Sequence, residues 1–332
     1  NCYPLEHLTG FHSGWQANKE DGDDYSLLAR INGKTLITPE GDVLMSSPRF
    51  VEIMSQQRRI FDGTSGASYK NMKEDRRYEG LRTPWIMAGT PALMNTDQSR
   101  LGDRFNRIII DPPSVDERRD ILEQVGHTAM RTVQNMSNCD PQSIVEESLR
   151  TAYRLTGGYV DWLRVNAEEL LERSSAGPAD YTEWVVSRCA KLAEFTADLR
   201  ARPDPNHQRQ EKHDAKEMPT RLTHQFVRYA CCLAPVLSRK EIDEDVLLRV
   251  RKIAVDTARG KTLEIARRLS VAEDGEEARV LAVQTGETPD RMQTLLRFMR
   301  KIGCVEWFTL KGGGLGTQVR WRLTERLGRL CK

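Results

Sequence analysis

The sequence predicts an α/β plus α protein: a parallel-sheet core, then a helical region and a compact C-terminal module. Across residues 1–113, short apolar runs alternate with helical spacing, which is the pattern of a parallel α/β sheet. After Pro112-Pro113 the apolar residues recur at amphipathic helical spacing. Over residues 270–332 the pattern is that of two short helices followed by a glycine-tipped β-hairpin.

Composition places the chain among globular proteins of two or three domains. Of its 332 residues, 39% are hydrophobic and 30% are charged, and no run approaches the roughly 20 apolar residues that a membrane span needs. We therefore expect a cytoplasmic protein with no membrane partner. The seven cysteines include no Cys-x-x-Cys pair, which favours buried free thiols over a disulfide framework or a zinc site. The chain opens on Asn1 without a secretory leader, and we interpret it as a fragment or a processed chain.

The first part, residues 1–113, carries the predicted sheet. Apolar runs predict buried strands at residues 35–38, 85–89 and 107–111. Residues 48–61 have helical spacing, which places four apolar side chains on one face: Phe50, Ile53, Met54 and Ile60. Strands that alternate with helices indicate parallel pairing.

The middle of the chain is predicted to be helical on both sides of a linker. Residues 114–200 form a helical lid or insertion, and residues 201–218 are polar enough to be a linker. Residues 219–269 form a second helical region. The individual helices are predicted at residues 115–136, 141–155, 159–173, 181–199, 220–234 and 244–268.

One tempting phosphate-binding motif is rejected. Gly33-Lys34-Thr35 matches half of GxxxxGK[ST], but the first glycine of that motif is replaced by Leu28. A phosphate-binding loop also needs a helix directly after it, so that the helix N-terminus meets the phosphate. The next residues, Leu36 to Pro39, form a β-type run instead. Lys34 is better interpreted as a turn residue that leads into a strand.

An acid-tipped strand follows that turn. The apolar run of residues 35–38 ends at Glu40 and Asp42, and a carboxylate at the C-terminal end of a parallel strand can hold Mg²⁺ or polarise an attacking water. This is the form of a Walker B element, although a surface turn after a strand has the same composition. Glu40 and Asp42 are thus candidate catalytic and metal-binding residues.

The order of later segments resembles a known family. A second apolar strand runs into Gly89-Thr90-Pro91, and Leu101-Gly102-Asp103-Arg104-Phe105 follows it. This arrangement resembles AAA+ ATPases of phages and mobile elements, which are related to minichromosome maintenance helicases. The resemblance implies that Thr90 is the sensor 1 residue beside the γ-phosphate. It implies that Arg104 is an arginine finger, and that ATP and Mg²⁺ are the cofactors. An ordinary surface arginine remains the alternative for Arg104.

The resemblance extends to two further stretches and covers roughly residues 8–110 and 218–268. Residues 8–28 are similar to the segment after the phosphate-binding loop, so that loop is expected upstream of Asn1. The helix that begins near Met218-Pro219 resembles the lid helix that carries sensor 2, which makes Arg221 the candidate. A helix-start arginine paired with a nearby acid is the alternative for Arg221. The family's usual Walker B aspartate is replaced by Glu40 after a proline, with Asp42 as competitor, which leaves open a displaced acid or impaired hydrolysis.

Residues 270–332 have the pattern of a winged helix-turn-helix. A helix over residues 276–283 is followed by a turn at Gly286, and Thr288 caps a second helix that begins at Pro289. Residues 304–311 and 318–323 alternate as strands on either side of a glycine-rich tip. We expect Trp307, Trp321 and Leu323 to pack the hairpin onto its helices.

The basic residues of this module point to DNA. From residue 276 to the C-terminus there are eleven Lys and Arg against six Asp and Glu, and a basic face is what a phosphate-contacting module needs. Winged helices that bind protein are the alternative. The candidate DNA-binding residues lie on the second helix and the hairpin: Arg291, Arg297, Arg300, Lys301, Lys311, Arg320 and Arg322.

The resemblance, together with the basic C-terminal module, implies part of a DNA-dependent AAA+ ATPase. We expect a helicase or translocase of a mobile element, assembled as a homo-oligomeric ring and most simply a hexamer. Two other functions remain open: a DNA-binding regulator that does not hydrolyse ATP, and an ATP-dependent loader or targeting factor that does not separate strands.

Overall fold

The computed structural model describes residues 2–4, 11, 27–67, 76–90, 105–110, 114–135, 142–201, 219–258, 260–311 and 317–331. These residues are mixed α/β and mostly helical. The chain divides into two compact units, Asn1–Phe105 and Asn106–Lys332. Among the described helices, none has the length and apolar character to cross a membrane. The linker expected at residues 201–218 lies almost wholly outside the described residues.

The first unit contains a parallel sheet, as the sequence predicts. Its three strands follow the order β1-β2-β5, and both pairings are parallel. A separate antiparallel pair, β3 and β4, lies between β2 and β5 in the chain. The elements are β1 (Cys2–Pro4), α1 (Leu27–Ile31), β2 (Thr35–Thr38), α2 (Gly41–Met45), α3 (Phe50–Phe61), β3 (Thr64–Ala67), β4 (Arg76–Glu79) and β5 (Trp85–Met87).

The core of the first unit lies between α3 and the sheet. The four apolar residues predicted on one face of α3 are all buried, and they pack with Leu28, Ile31 and Leu36. Burying a side chain of this size stabilises a fold by roughly 1.5–3 kcal/mol. The amphipathic spacing of α3 therefore fixes which face it turns to the sheet, and the sheet in turn positions the strand ends described below.

The second unit is helical apart from one hairpin. It contains α4 (Val115–Asn135), α5 (Gln142–Val165), α6 (Ala167–Ser175), α7 (Ala179–Arg200), α8 (Thr220–Val236), α9 (Glu244–Thr257), α10 (Lys261–Val271), α11 (Ala278–Thr285), α12 (Pro289–Lys301), β6 (Val305–Lys311), β7 (Thr317–Leu323) and α13 (Glu325–Cys331).

Two of the differences between the predicted and observed helix boundaries occur at glycines. Gly157-Gly158 was expected to separate two helices, but α5 continues through both glycines and ends at Val165. Each helical glycine costs about 1 kcal/mol relative to alanine, which a long helix can absorb. Conversely, the single helix expected over residues 244–268 is two helices, because Gly260 has a φ of 145° that no helix accommodates.

The strand predicted at residues 107–111 is wrong for the part that the structure describes. Residues 106–110 belong to the second unit and form no strand. Instead, the amide of Arg107 donates to Thr257 Oγ1 at 3.0 Å, and the amide of Ile109 donates to Asp256 Oδ2 at 2.9 Å. Side chains at the end of α9 therefore satisfy backbone groups that a sheet neighbour would otherwise bind.

Two hydrophobic cores hold the second unit together. One joins α7, α8 and α9 around Phe226 and Val250. The other joins the end of α7 to α10, α11, α12 and the hairpin around Leu281 and Leu296. Helix α7 contributes to both, with Cys189 in the first core and Leu199 in the second.

Candidate nucleotide and nucleic-acid sites

The ends of β2 and β5 bring two of the predicted site residues together. The two strands are parallel neighbours, with Thr38 opposite Met87, so their carboxyl ends lie at the same edge of the sheet. Just beyond those ends, the amide of Thr90 donates to Asp42 Oδ2 at 2.8 Å. The acid and the polar residue that the sequence separates by 48 positions are thus in direct contact.

Glycine is required where the two strand ends meet. The amide of Gly41 donates to the carbonyl of Ala88 at 2.7 Å. A Cβ placed on Gly41 would lie 2.4 Å from Met87 Cγ and 3.0 Å from the Ala88 oxygen. This close approach positions Asp42, the following residue, opposite Thr90.

The two carboxylate oxygens of Asp42 differ in their hydrogen bonding. Its Oδ1 is buried and has no hydrogen-bond partner within the described residues, whereas Oδ2 accepts from Thr90. A buried carboxylate oxygen without a donor is costly, and Mg²⁺ in nucleotide sites is commonly held by one or two carboxylates with phosphate and water. Asp42 therefore suits one Mg²⁺ ligand position. No group of three or more metal-binding side chains occurs among the described residues.

Glu40 differs from Asp42 in its surroundings. It is exposed, occupies the residue before α2, and makes no capping hydrogen bond with its side chain. Between the two candidates that the sequence left open, Asp42 is the one that the structure holds in place beside Thr90.

The rejected phosphate-binding motif forms a turn between a helix and a strand. Gly33 has a φ of 74°, and the residues after Lys34 form β2 rather than a helix. A hydrogen bond to a distant segment stabilises this turn: Asn32 Oδ1 accepts from the amide of Arg82 at 3.0 Å. The backbone amides of Gly33 and Lys34 are likewise bonded to carbonyl oxygens of the protein, so they do not form a phosphate cradle.

The two predicted arginines have different outcomes. Arg104 lies outside the described residues. Phe105, which follows it, packs edge-on against Trp85, with ring centroids 6.5 Å apart. Arg221 lies in the first turn of α8 in the second unit and is half-buried.

The end of the second unit has the predicted helix–turn–helix and hairpin. Gly286 ends α11 in the left-handed conformation, and Thr288 Oγ1 caps α12 by accepting from the amide of Arg291. Glu276 was expected in the first helix, but it lies before α11 and forms an isolated antiparallel bridge with Trp321 of the hairpin. Helix α13 was not predicted.

The basic side chains of α12 are exposed. Arg297 and Lys301 lie on the surface of the helix, and Arg300 lies with its guanidinium 5.5 Å from the ring centroid of Trp307. Arg291 is exposed but pairs with Glu287 at 3.2 Å. Trp307 contacts helix α12 through Arg300 but remains 44% exposed, so it is not buried against the helices as Trp321 is. Its contact with Arg300 explains why an aromatic residue remains at the surface.

Two of the three candidate DNA-binding residues of the hairpin interact with other groups of the protein. Arg322 pairs with Glu306 at 2.7 Å and lies 5.0 Å from the ring centroid of Phe308. Arg320 is half-buried and donates weakly to the carbonyl of Asp274 at 3.5 Å. Lys311 ends β6, and its side chain lies outside the described residues. The exposed basic face is therefore concentrated on α12.

Trp321 and Leu323 pack the hairpin onto the helices as predicted, because Trp321 is 5% exposed in the terminal core and Leu323 packs against that core.

The described cysteines differ in burial: Cys189 and Cys304 are buried free thiols, whereas Cys232 is exposed. Burial raises the pKa of Cys189 to about 11 and also raises the pKa of Cys232.

No protein-family model matches the chain, and neither does any curated protein.

Proposed function

We propose that the chain is part of a DNA-dependent AAA+ ATPase, a helicase or translocase of mobile-element type that assembles as a homo-oligomeric, hexameric ring. The single observation that carries the proposal is the contact between Asp42 and Thr90 at the ends of neighbouring parallel strands. An acid and a polar residue on adjacent strand ends form the arrangement that Walker B and sensor 1 residues need beside a nucleotide.

Each candidate residue has a proposed role at this site. Asp42, with its unpartnered Oδ1, holds Mg²⁺ or orients the attacking water, and Glu40 is the exposed alternative. The amide of Thr90 donates to Asp42, and by the resemblance its side chain would be the sensor of the γ-phosphate. By the same resemblance Arg104 and Arg221 would supply permanent positive charge to phosphate oxygens, since a guanidinium binds them with two parallel hydrogen bonds. Bound ATP with Mg²⁺ supplies the phosphoanhydride that is cleaved.

The proposed site also needs a phosphate-binding loop, and no complete GxxxxGK[ST] motif occurs in these 332 residues. Among the described strands, β5 pairs with β2 alone and leaves its other edge open. A further parallel strand at that edge would bring its own carboxyl end next to Thr90. For this reason we expect the chain by itself not to hydrolyse ATP.

The proposal also gives the C-terminal module a role as a winged helix that binds duplex or forked DNA. Helix α12 would enter the major groove with its exposed basic face. This part of the proposal is supported by the exposure of Arg297, Arg300 and Lys301.

The test of the ATPase is a steady-state assay, with and without DNA, on the chain joined to its phosphate-binding segment. Asp42→Asn is expected to lower kcat on the order of 10²-fold or more, in the range of a positioned acid–base group. Asp116→Asn is the matched control, because Asp116 is also a carboxylate in the first turn of a helix but is exposed. Equal activity of the two variants would rule out the assignment of Asp42.

The same assays separate the two alternative functions. DNA binding without any ATP hydrolysis would identify a non-hydrolysing regulator. DNA-stimulated hydrolysis without strand displacement on forked DNA would identify a loader or targeting factor. Mass measurement by light scattering, with and without ATP, tests the hexamer.

A further inference from the structure

A basic cavity opens between α9 and α10 in the second unit. Its volume is about 440 Å³, and it is lined by the apolar residues Ile109, Leu248, Val255 and Leu263 together with Arg251, Lys252, Asp256 and Arg267. Three cations therefore surround one carboxylate. None of these residues was singled out from the sequence.

The one carboxylate in the cavity is already neutralised. Lys252 Nζ lies 3.1 Å from Asp256 Oδ2, and the amide of Ile109 donates to the same oxygen at 2.9 Å. The Asp256 side chain is only 11% exposed, and these two donors stabilise its negative charge in the cavity wall. It is not positioned to pair with the remaining cations.

The other two cations have no acidic partner among the residues that the structure describes. Arg251 on α9 and Arg267 on α10 are exposed, and within the described part of the chain no acidic side chain pairs with either of them. Nearby arginines differ, since Arg249 of α9 lies 3.9 Å from Asp245. Two guanidinium groups that line the same partly apolar cavity, and that no described acid pairs, are suited to an anionic ligand with phosphate geometry.

We propose that this cavity binds the phosphodiester backbone of a nucleic acid and extends the DNA interface beyond α12. The described lining residues include no aromatic side chain on which a base could stack, so contacts made here are with phosphates and carry no sequence information. Helix α10 belongs to the same hydrophobic core as α12, through Leu263 and Leu296. The cavity and the basic helix are thus parts of one packed body. This inference rests on the DNA-binding part of the proposed function but is independent of ATP hydrolysis.

The test is fluorescence anisotropy with labelled DNA, measured at several salt concentrations on the full chain. Arg251→Ala/Arg267→Ala is expected to weaken binding roughly equally for unrelated sequences. It should also reduce the slope of log K against log[salt] by about 2, since each lost phosphate contact contributes about 1. The control Arg249→Ala/Arg268→Ala removes the same charge from the same two helices without touching the cavity. It is expected to leave the slope nearly unchanged.

The outcomes separate the cavity from the rest of the interface. If the cavity variant and the control behave alike while Arg297→Ala weakens binding, the cavity is not a DNA site and α12 still is. If the wild-type chain binds no DNA, both assignments fail. If ATP or inorganic phosphate at millimolar concentration binds the wild type but not the cavity variant, while both bind DNA with the same affinity and salt slope, the cavity is a site for free phosphates and the nucleic-acid assignment is overturned. Both arginines are exposed, so circular dichroism is expected to show the variants folded like the wild type.

Discussion

Replacing Arg326 tests how the C-terminal helix α13 is held against α7. Arg326 Nη2 lies 2.7 Å from Asp198 Oδ2, and Nη1 also contacts Glu194. The side chain of Asp198 is fully buried, whereas that of Arg326 is 37% exposed. Partial burial acts to lower the pKa of Arg326, but the two carboxylates outweigh it and raise the pKa above its usual value. The interaction thus neutralises an acid that water does not reach.

The expected loss in Arg326→Met follows from that asymmetry. Methionine keeps much of the side-chain volume but leaves the Asp198 carboxylate without this counter-ion, and breaking a buried pair typically costs 3–5 kcal/mol. Because Arg326 is more than a third exposed, the lower end applies, about 3 kcal/mol of unfolding free energy. For a unit of this size that corresponds to a fall in Tm of roughly 6–12 °C.

Urea denaturation followed by circular dichroism measures this change. The matched control is Arg329→Met on the same helix, because Arg329 pairs with Glu325 across an i,i+4 spacing and both side chains are more than 70% exposed. Such a pair contributes only about 0.3–0.5 kcal/mol. Adding Asp198→Asn to Arg326→Met should restore part of the loss. If the two single variants were destabilised equally, within about 0.5 kcal/mol, Arg326 would not stabilise the fold by neutralising Asp198.

Three further predictions concern local features. Cys189 is expected to resist maleimide in the native protein while Cys232 reacts, as mapped by peptide mass spectrometry, since only Cys232 is exposed. Because the folded pKa of Cys189 is about 11, the native state keeps a proton that the unfolded chain loses near pH 8.5–9. Stability should therefore fall between about pH 9 and 11, and Cys189→Ala should flatten that fall. Gly260→Ala is expected to cost about 1–3 kcal/mol at a φ of 145°, whereas Gly157→Ala in a helix should be neutral or stabilising by up to about 1 kcal/mol; urea titration measures both. Thr288→Ala removes the α12 cap and should cost about 1 kcal/mol, and a loss below about 0.2 kcal/mol would contradict the capping assignment.

Local patterns predicted the elements whose burial is periodic. The apolar face of α3 and the cap of α12 were predicted because amphipathic spacing and a Thr-Pro start are properties of neighbouring residues. Strands β2 and β5 were predicted for the same reason, as apolar runs bounded by turn residues. Their parallel pairing followed from the alternation with helices.

Errors arose where a distant partner decides the outcome. Residues 107–110 have the composition of a strand, but Asp256 and Thr257, about 150 positions later, accept their amide protons. Gly157 and Gly260 are the same residue type, yet only Gly260 needs a backbone that breaks a helix. A sequence pattern does not show which glycine will have positive φ.

The candidate nucleotide site was half predictable. The order of an acid and a polar residue after two apolar strands indicated Asp42 and Thr90, but the choice between Glu40 and Asp42 required the observed hydrogen bond. The basic cavity was not predicted, because Arg251 and Arg267 lie on different helices and only the folded chain brings them to the same cavity. The basic residues of both helices are visible in the sequence and could have indicated the cavity, but such residues usually form an ordinary solvated surface.

Helix α7 has a mechanical consequence for the second unit. At 22 residues it is about 33 Å long, and its early turns lie in the core with α8 and α9 while Phe195 and Leu199 lie in the core beneath α12. One helix therefore contributes side chains to both cores, so a change in its length or position would disturb both of them. A truncation at residue 270 would uncover Phe195 and Leu199 and expose an apolar surface.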